Sequence, residues 1–426
     1  MAREKIITAL DVGSSKISAL IATSAEDALT VIGVSTVNSK GIRKGQVVDI
    51  DEAVSAISES LEAAERMAGV STSSCFASIG GVQISSINSR GVVAVAGGEN
   101  EVSAEDVKRV VEAAQAISTP SSREIIHVIP RDYIVDSQEG IKDPVGMTGV
   151  RLEVETHIIT GATTSMRNLV KCIQQVGLDV EGMVFSGIAS AESTLTDTEK
   201  ELGVALVDIG GGTTDVALFI DGSIAHSAVI PIGGINITND LAIGLRSSLE
   251  TAQKIKLALS ETGEKVTKIE KEESSSKRKE DTIDTANIGI TEDLGTSLSR
   301  KTLTEGIIKP RLTEIFTLIG MEIKRAGFAG LLPAGLVITG GAADTILLKQ
   351  LGKDTLRMPV RIASPKGVIG LIDEISTPAY ATSVGLLLHA QKSSTTISAG
   401  GLSLPRGKNV TDLAKKVFGW VRGLIH

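Results

Sequence analysis

Two short stretches of this 426-residue chain, "LDVGSSK" (10–16) and "VDIGGGTTD" (207–215), follow one pattern. Each closes an apolar run on an aspartate, turns on glycines and hydroxyls, and opens a second apolar run. "KIITALDVGSSKISALIAT" (5–23) thus predicts a hairpin. "LGVALVDIGGGTTDVALFIDGSIAHSAVIPIGG" predicts strand, Gly-rich hairpin, strand, a turn at Asp221-Gly222, and strand again. A polyphosphate needs backbone N–H groups converging on its oxygens, and small residues let the backbone approach. Its Mg²⁺ takes a few carboxylates and keeps several waters. Two such hairpins facing each other would clamp a phosphate chain from both sides. The candidates are Gly13, Ser14, Ser15 and Lys16 in one hairpin, and Gly210, Gly211, Gly212, Thr213 and Thr214 in the other. Asp11 and Asp208 are the candidates for ordering a hydrated metal. A third element, "ITGGAAD" (338–344), ends a buried strand on a Gly-Gly turn. Gly340, Gly341 and Ala342 there suit flat contact with a nucleobase or ribose. A single Asp-x-Gly turn is usually structural; the ordered set of three is far more specific. The P-loop pattern G-x-x-x-x-G-K-[ST] is absent.

The length predicts two or more domains, and a composition 42% hydrophobic with 44 glycines predicts a sizeable core with many tight turns. A formal charge of -8 without a basic stripe argues against nucleic acid as the main partner. Cys75 and Cys172 form neither a disulfide framework nor a metal-ligand spacing, which suits free thiols in a reducing compartment. The five histidines are scattered without an H-x-x-x-H pair. Asp11 and the glycines interrupt any signal-peptide core, and no window is apolar enough to span a bilayer.

Along the chain, "ALTVIGVSTV" (28–37) predicts a third strand, and 49–69 a helix with Gly69 as its C-cap. Residues 82–162 predict a separate α+β module. Its single helix starts at a capping box of Ser103 and Asp106, and alternating strands follow. "TSMRNLVKCIQQVGLDV" resumes an α/β order. The mixed charge run 264–281 predicts a solvated loop or helix face, and the Ser/Thr/Gly-rich segment 391–408 a flexible linker.

The three glycine motifs resemble those of the actin, sugar kinase and 70-kDa chaperone superfamily, in which phosphate-1, phosphate-2 and adenosine motifs lie on two related α/β domains. "FSGIASAES" (185–193) and "STPAYATSVGLLLHA" (376–390) resemble its two interdomain helices. That family lines the adenosine side with an acidic residue and a lysine three positions on. Here Gln253 and Lys256 in "TAQKIKLALS" fill those places, glutamine standing for the acid. The superfamily's water-orienting Glu or Gln falls near Ser186, which cannot act as a carboxylate base. The resemblance therefore implies a weak ATPase at most, and mainly a nucleotide-binding scaffold.

Within the superfamily the chain most resembles the FtsA family of actin-like bacterial division proteins, nearly end to end. The carrying stretches include "GIRKGQVVDID", "GIKDPVGMTGVRLEVETHI", "IPIGGINITNDLAIGL" with Gly233 and Gly234, "IKPRLTEIF" and "LVITGGAA". The resemblance implies subdomain 1A at 1–81 and 163–195, and the family's inserted 1C at 82–162. It places 2A at 196–239 and 306–390, and 2B at 240–305. It further implies binding of ATP and Mg, filament formation, recruitment of later division proteins, and docking of the C-terminal peptide of FtsZ on 2B. Arg300, near the end of that region, and Arg311, just beyond it, suit an acidic peptide or a structural ion pair equally well.

The chain has one Trp, two Tyr and six Phe, and the Trp and one Phe fall in the closing stretch "VTDLAKKVFGWVRGLIH". At about 100° per residue, Val410, Leu413, Ala414, Val417, Phe418, Trp420, Val421, Leu424 and Ile425 fall within an arc of roughly 160°. Lys415, Lys416 and Arg422 face Asp412 alone on the polar side. An indole and snorkelling lysines favour a membrane interface over packing on the protein's own core. Residues 409–426 thus predict an interfacial helix, in agreement with the family's membrane-targeting helix and with a peripheral place on the cytoplasmic face at the division site. The competing readings are an ATPase or sugar kinase of the same fold, and an actin-like adaptor of another membrane machine such as pilus assembly.

Overall fold

The computed structural model describes residues 5–25, 28–96, 98–116, 120–269, 282–284, 289–290, 292 and 297–399. The predicted interfacial helix at 409–426 lies outside them, as does most of the charge run 264–281. Two large sheets share one strand order. In the first, a three-stranded antiparallel meander, Lys5–Val12, Lys16–Ala25 and Ala28–Asn38, is extended beyond its first strand by the parallel strands Ser74–Ile79 and Asp179–Phe185. In the second, Val204–Ile209, Thr214–Ile220 and Ser223–Ile230 form the meander, and Gly335–Thr339 and Val360–Ile362 extend it. The duplicated hairpin motif is thus the local sign of a duplicated topology. The first sheet gains a sixth strand, Ile369–Gly370, from the second half of the chain.

Each sheet is covered on both faces, so its inner strands are apolar without alternation; every residue of Val204–Ile209 is buried. The outer face of the first sheet carries helices Ile50–Ala68 and Thr163–Gln175 around Leu10, Ile21, Ile57 and Ile173. Asp49 caps the first of these by accepting from the Glu52 N–H, and Gly69 ends it at φ 68°. The outer face of the second sheet carries helices Gly234–Leu245, Leu249–Ile269, Lys309–Arg325 and Leu348–Leu356. Between the sheets cross two connecting helices, Ser186–Thr194 and Ala381–Ala399, and one apolar cluster runs through both halves there.

The connecting helices depart from the sequence expectation at two ends. Residues 376–380 form a turn containing Pro378, and the helix starts at Ala381. It then runs to Ala399, nine residues into the segment read as a linker. After Gly340-Gly341 turns intervene, and the next helix begins at Leu348, with Leu347 at a left-handed φ of 68°.

The inserted unit is a four-stranded antiparallel sheet, in order Ser85–Ala94, Arg151–Ala162, Arg123–Val135 and Gln138–Ile141, with helix Ala104–Gln115 packed on it. The Ser103–Asp106 capping box is formed. The unit leaves the chain from the first half but bonds to the edge strand of the second sheet. Ser86 Oγ donates to Ser227 O at 2.7 Å, Asn88 Nδ2 to Ala225 O at 3.1 Å, and buried His157 bridges Asn88 and Ser227. Cys75 and Cys172 are free and buried. Among the described residues, no helix is long and apolar enough to cross a membrane.

Candidate nucleotide site

The two hairpins close with the same local bond: Gly13 N–H donates to Lys16 O at 3.0 Å, and Gly210 N–H to Thr213 O at 2.9 Å. Their turns then meet across the cleft between the halves. A Cβ on Gly211 would lie 2.6 Å from Ser15 Cβ, and one on Gly212 would lie 3.1 Å from Ser14 Cβ. Glycine suits both places because the serines of the facing turn occupy the space, not for its φ freedom. Helix Gly234–Leu245 docks its first turn onto the second hairpin, Gly234 N–H to Gly210 O and Ile235 N–H to Gly211 O. Gly340, at φ 94°, lies against Asp208; a Cβ there would come within 2.2 Å of Asp208 Oδ1.

A cleft of about 250 Å³ results. Asp11, Gly13, Ser14, Ser15, Lys16, Asp208, Gly210, Gly211, Gly212, Thr213, Gly234, Gln253, Lys256, Gly340, Gly341 and Ala342 all line it. Thr214 and Gly233 stand behind it: Thr214 Oγ1 donates to Ile232 O, and Gly233 packs under the Gly210–Gly211 carbonyls. Thr238 Oγ1 links Gln253 and Lys256, donating to Gln253 Oε1 at 2.8 Å and accepting from Lys256 Nζ at 2.9 Å. Burial pulls Lys256 down to about 8.

Three aspartates meet here. Asp11 accepts from Ser78 Oγ at 2.7 Å; Asp208 accepts from Ser190 Oγ at 2.5 Å and Thr382 Oγ1 at 3.0 Å, both on the connecting helices. The third, Asp215, pairs in register with Asp208 across its hairpin, and its Oδ1 has no partner. Burial pushes all three carboxyls up. The neighbouring negative charges add to this for Asp208 and Asp215, and Lys16 opposes it for Asp11 and Asp208. Among the described residues no three acidic or histidine side chains converge as direct ligands to one metal. The arrangement therefore fits a hydrated Mg²⁺ held through water rather than an all-protein cage. Lys16 Nζ is buried without a hydrogen-bond partner, which leaves its donors for an anion.

Sequence reasoning missed Asp215, which closes the stretch 207–215, because its place depends on the strand register. It also missed Gly80 and Gly81, which line the cleft beside Ser186. The signal was present: "SIGG" (78–81) follows the first sheet's fourth strand as "ITGG" (338–341) follows the second's. Away from the cleft, Arg311 forks onto Asp240 at 2.6 and 2.8 Å and reaches Glu314, and Arg300 Nη2 donates to Leu259 O at 2.7 Å.

Known proteins show the same organisation. A family model described as "SHS2 domain inserted in FTSA" matches residues 81–160, and one described as "Cell division protein FtsA" matches 205–385. The cell division protein FtsA of Pseudomonas aeruginosa is 39% identical, over 98% of each chain. This chain belongs to the FtsA family. The FtsA family places it among cell-division proteins with an actin-like fold. Solved structures agree on the fold. A type IV pilus PilM–PilN complex chain superposes with TM-score 0.62 at 14% identity, over 90% of this chain and 98% of that one. MreB5 of Spiroplasma citri bound to ADP superposes with TM-score 0.52 at 12% identity, over 93% and 99%.

Proposed function

We propose that this FtsA-family member is an ATP-binding, polymerising adaptor that ties FtsZ filaments to the cytoplasmic membrane and helps recruit later division proteins. The observation that carries the reading is the cleft itself. Two glycine turns touch across it, and a lysine whose buried Nζ has no hydrogen-bond partner converges on it with three carboxylates that burial disfavours as anions. Such a site is costly without ligand and is relieved by a phosphate chain with its cation. Asp11 and Asp208 would hold Mg²⁺ through water, and the metal would neutralise the phosphates. Asp215 and Ser186 both line the cleft next to Gly80; with serine where the superfamily carries its water-orienting residue, a proton from water would pass to Asp215 and turnover is slow. Nucleotide acts chiefly as a conformational ligand favouring the closed, polymer-competent state.

The remaining roles come from the family and from the sequence of the tail. FtsZ's acidic C-terminal peptide docks on 240–305, and beside that region it competes with Asp240 and Glu314 for Arg311. The amphipathic segment 409–426 lies in the membrane interface, and polymerisation multiplies its weak single-site binding. Pilus assembly is disfavoured because the likeness to PilM is one of fold at 14% identity. The nucleotide step is tested by calorimetric titration with Mg-ATP. One saturable site is expected, weakened about thirtyfold in Lys16→Ala, as for loss of one charged contact of about 2 kcal/mol. Absence of binding to the wild-type chain would overturn it.

A further inference from the structure

We propose that Tyr380 is a positioning residue for nucleotide binding: its ring face holds the Lys16 ammonium toward the cleft while leaving every N–H of that ammonium free for phosphate. This rests on the nucleotide reading above and deepens it. Lys16 Nζ lies 3.8 Å from the centroid of the Tyr380 ring and has no hydrogen-bond partner. A lysine chain has several rotatable bonds, and holding it extended costs entropy on binding unless it is held beforehand. A carboxylate partner would hold it, but would occupy the donors and compete with the phosphate. An aromatic face attracts the cation through its quadrupole and takes no donor.

Tyr380 is itself fixed from both halves of the molecule. Its Oη shares a hydrogen bond with Thr36 Oγ1 at 3.0 Å, and Thr36 shares another with Ser18, both on the first sheet. It sits in the turn whose Pro378 O accepts from Gly340 N–H at 3.1 Å and from Thr339 Oγ1 at 3.1 Å. One residue therefore connects the phosphate lysine on the first hairpin with the glycine turn that faces the nucleoside. Tyr380 does not line the cleft, so it acts through Lys16 rather than on the nucleotide.

The test is Mg-ATP titration of the full chain with Tyr380→Leu, Tyr380→Phe, Lys16→Ala and the double variant Lys16→Ala/Tyr380→Leu, each checked for wild-type thermal unfolding. The expected result is about a tenfold loss for Tyr380→Leu, within the range of a desolvated cation–π contact. Tyr380→Phe should stay within about twofold of wild type, because the ring face is retained. The double variant should bind no more weakly than Lys16→Ala alone. Equal losses for the Phe and Leu variants, or a full further loss on the Lys16→Ala background, would overturn the proposal. The Phe–Leu contrast decides even if Lys16→Ala leaves no measurable binding. A wild-type chain that binds no Mg-ATP would instead remove the nucleotide reading, and this proposal with it.

Discussion

Gly385→Ala is expected to lower the unfolding free energy by about 3 kcal/mol or more, the upper range for overpacking. An alanine in mid-helix ordinarily stabilises relative to glycine by about 0.5–1 kcal/mol, so the sign is diagnostic. The reason lies at the crossing of the two connecting helices. A Cβ on Gly385 would sit 1.8 Å from the Ala189 carbonyl oxygen, a backbone atom that no rotamer can move. The helices must separate, and the contacts they make across the crossing are lost. Among these, Ser190 Oγ and Thr382 Oγ1 lie 2.9 Å apart and both reach Asp208 Oδ2, at 2.5 and 3.0 Å, and Ser193 Oγ donates to Ala381 O at 2.7 Å. The same substitution should therefore weaken Mg-ATP binding, although Gly385 is not a lining residue of the cleft. Urea unfolding of the variant beside wild type measures the first effect. A change under 1 kcal/mol would mean that the helices do not pack at this distance.

Asp215→Asn is expected to stabilise the nucleotide-free protein by about 2–3 kcal/mol at neutral pH, the scale of an unpaired buried charge. Asp215 carries an unpartnered oxygen, and burial together with Asp208 and Asp11 holds its carboxyl well above the ordinary value of 3.8. A raised folded pKa means that the folded state binds more protons than the unfolded one, so stability falls as pH rises. The loss begins above the unfolded value near 3.8 and is complete only above the raised folded value. The asparagine variant should show a shallower decline across that window. It should also gain less stability than wild type from Mg²⁺ with ATP, because part of what the ligand relieves is already gone. Unfolding midpoints against pH, with and without Mg-ATP, read both effects. An unchanged slope would show that Asp215 is solvated or paired in solution.

Much of this site was legible because its parts are local. A strand ending on aspartate and followed by glycines is a pattern within ten residues, and Asp11, Asp208 and Gly340 could be named from it. The capping box of Ser103 and Asp106 and the left-handed Gly69 were legible for the same reason: a cap depends on residues three or four apart. What escaped depends on register or on contact between distant segments. Asp215 matters because strand pairing sets it opposite Asp208. Gly80-Gly81 matters because the first sheet repeats the second, and the repeat becomes visible only when both strand orders are known. Tyr380 meets Lys16 across more than three hundred positions of sequence. The linker at 391–408 was read from Ser, Thr and Gly content, yet the helix runs on to Ala399. Composition is a weak guide where a helix already nucleated upstream needs only to propagate.

The central claim, an adaptor between a filament and a membrane, is tested most directly by co-sedimentation of FtsZ polymers with anionic phospholipid vesicles in Mg-ATP. The full chain is compared with one truncated after Lys408. FtsZ should pellet with the vesicles only when the full chain is present. If FtsZ stays in solution with both chains, or pellets equally with both, residues 409–426 are not the anchor and the adaptor reading fails.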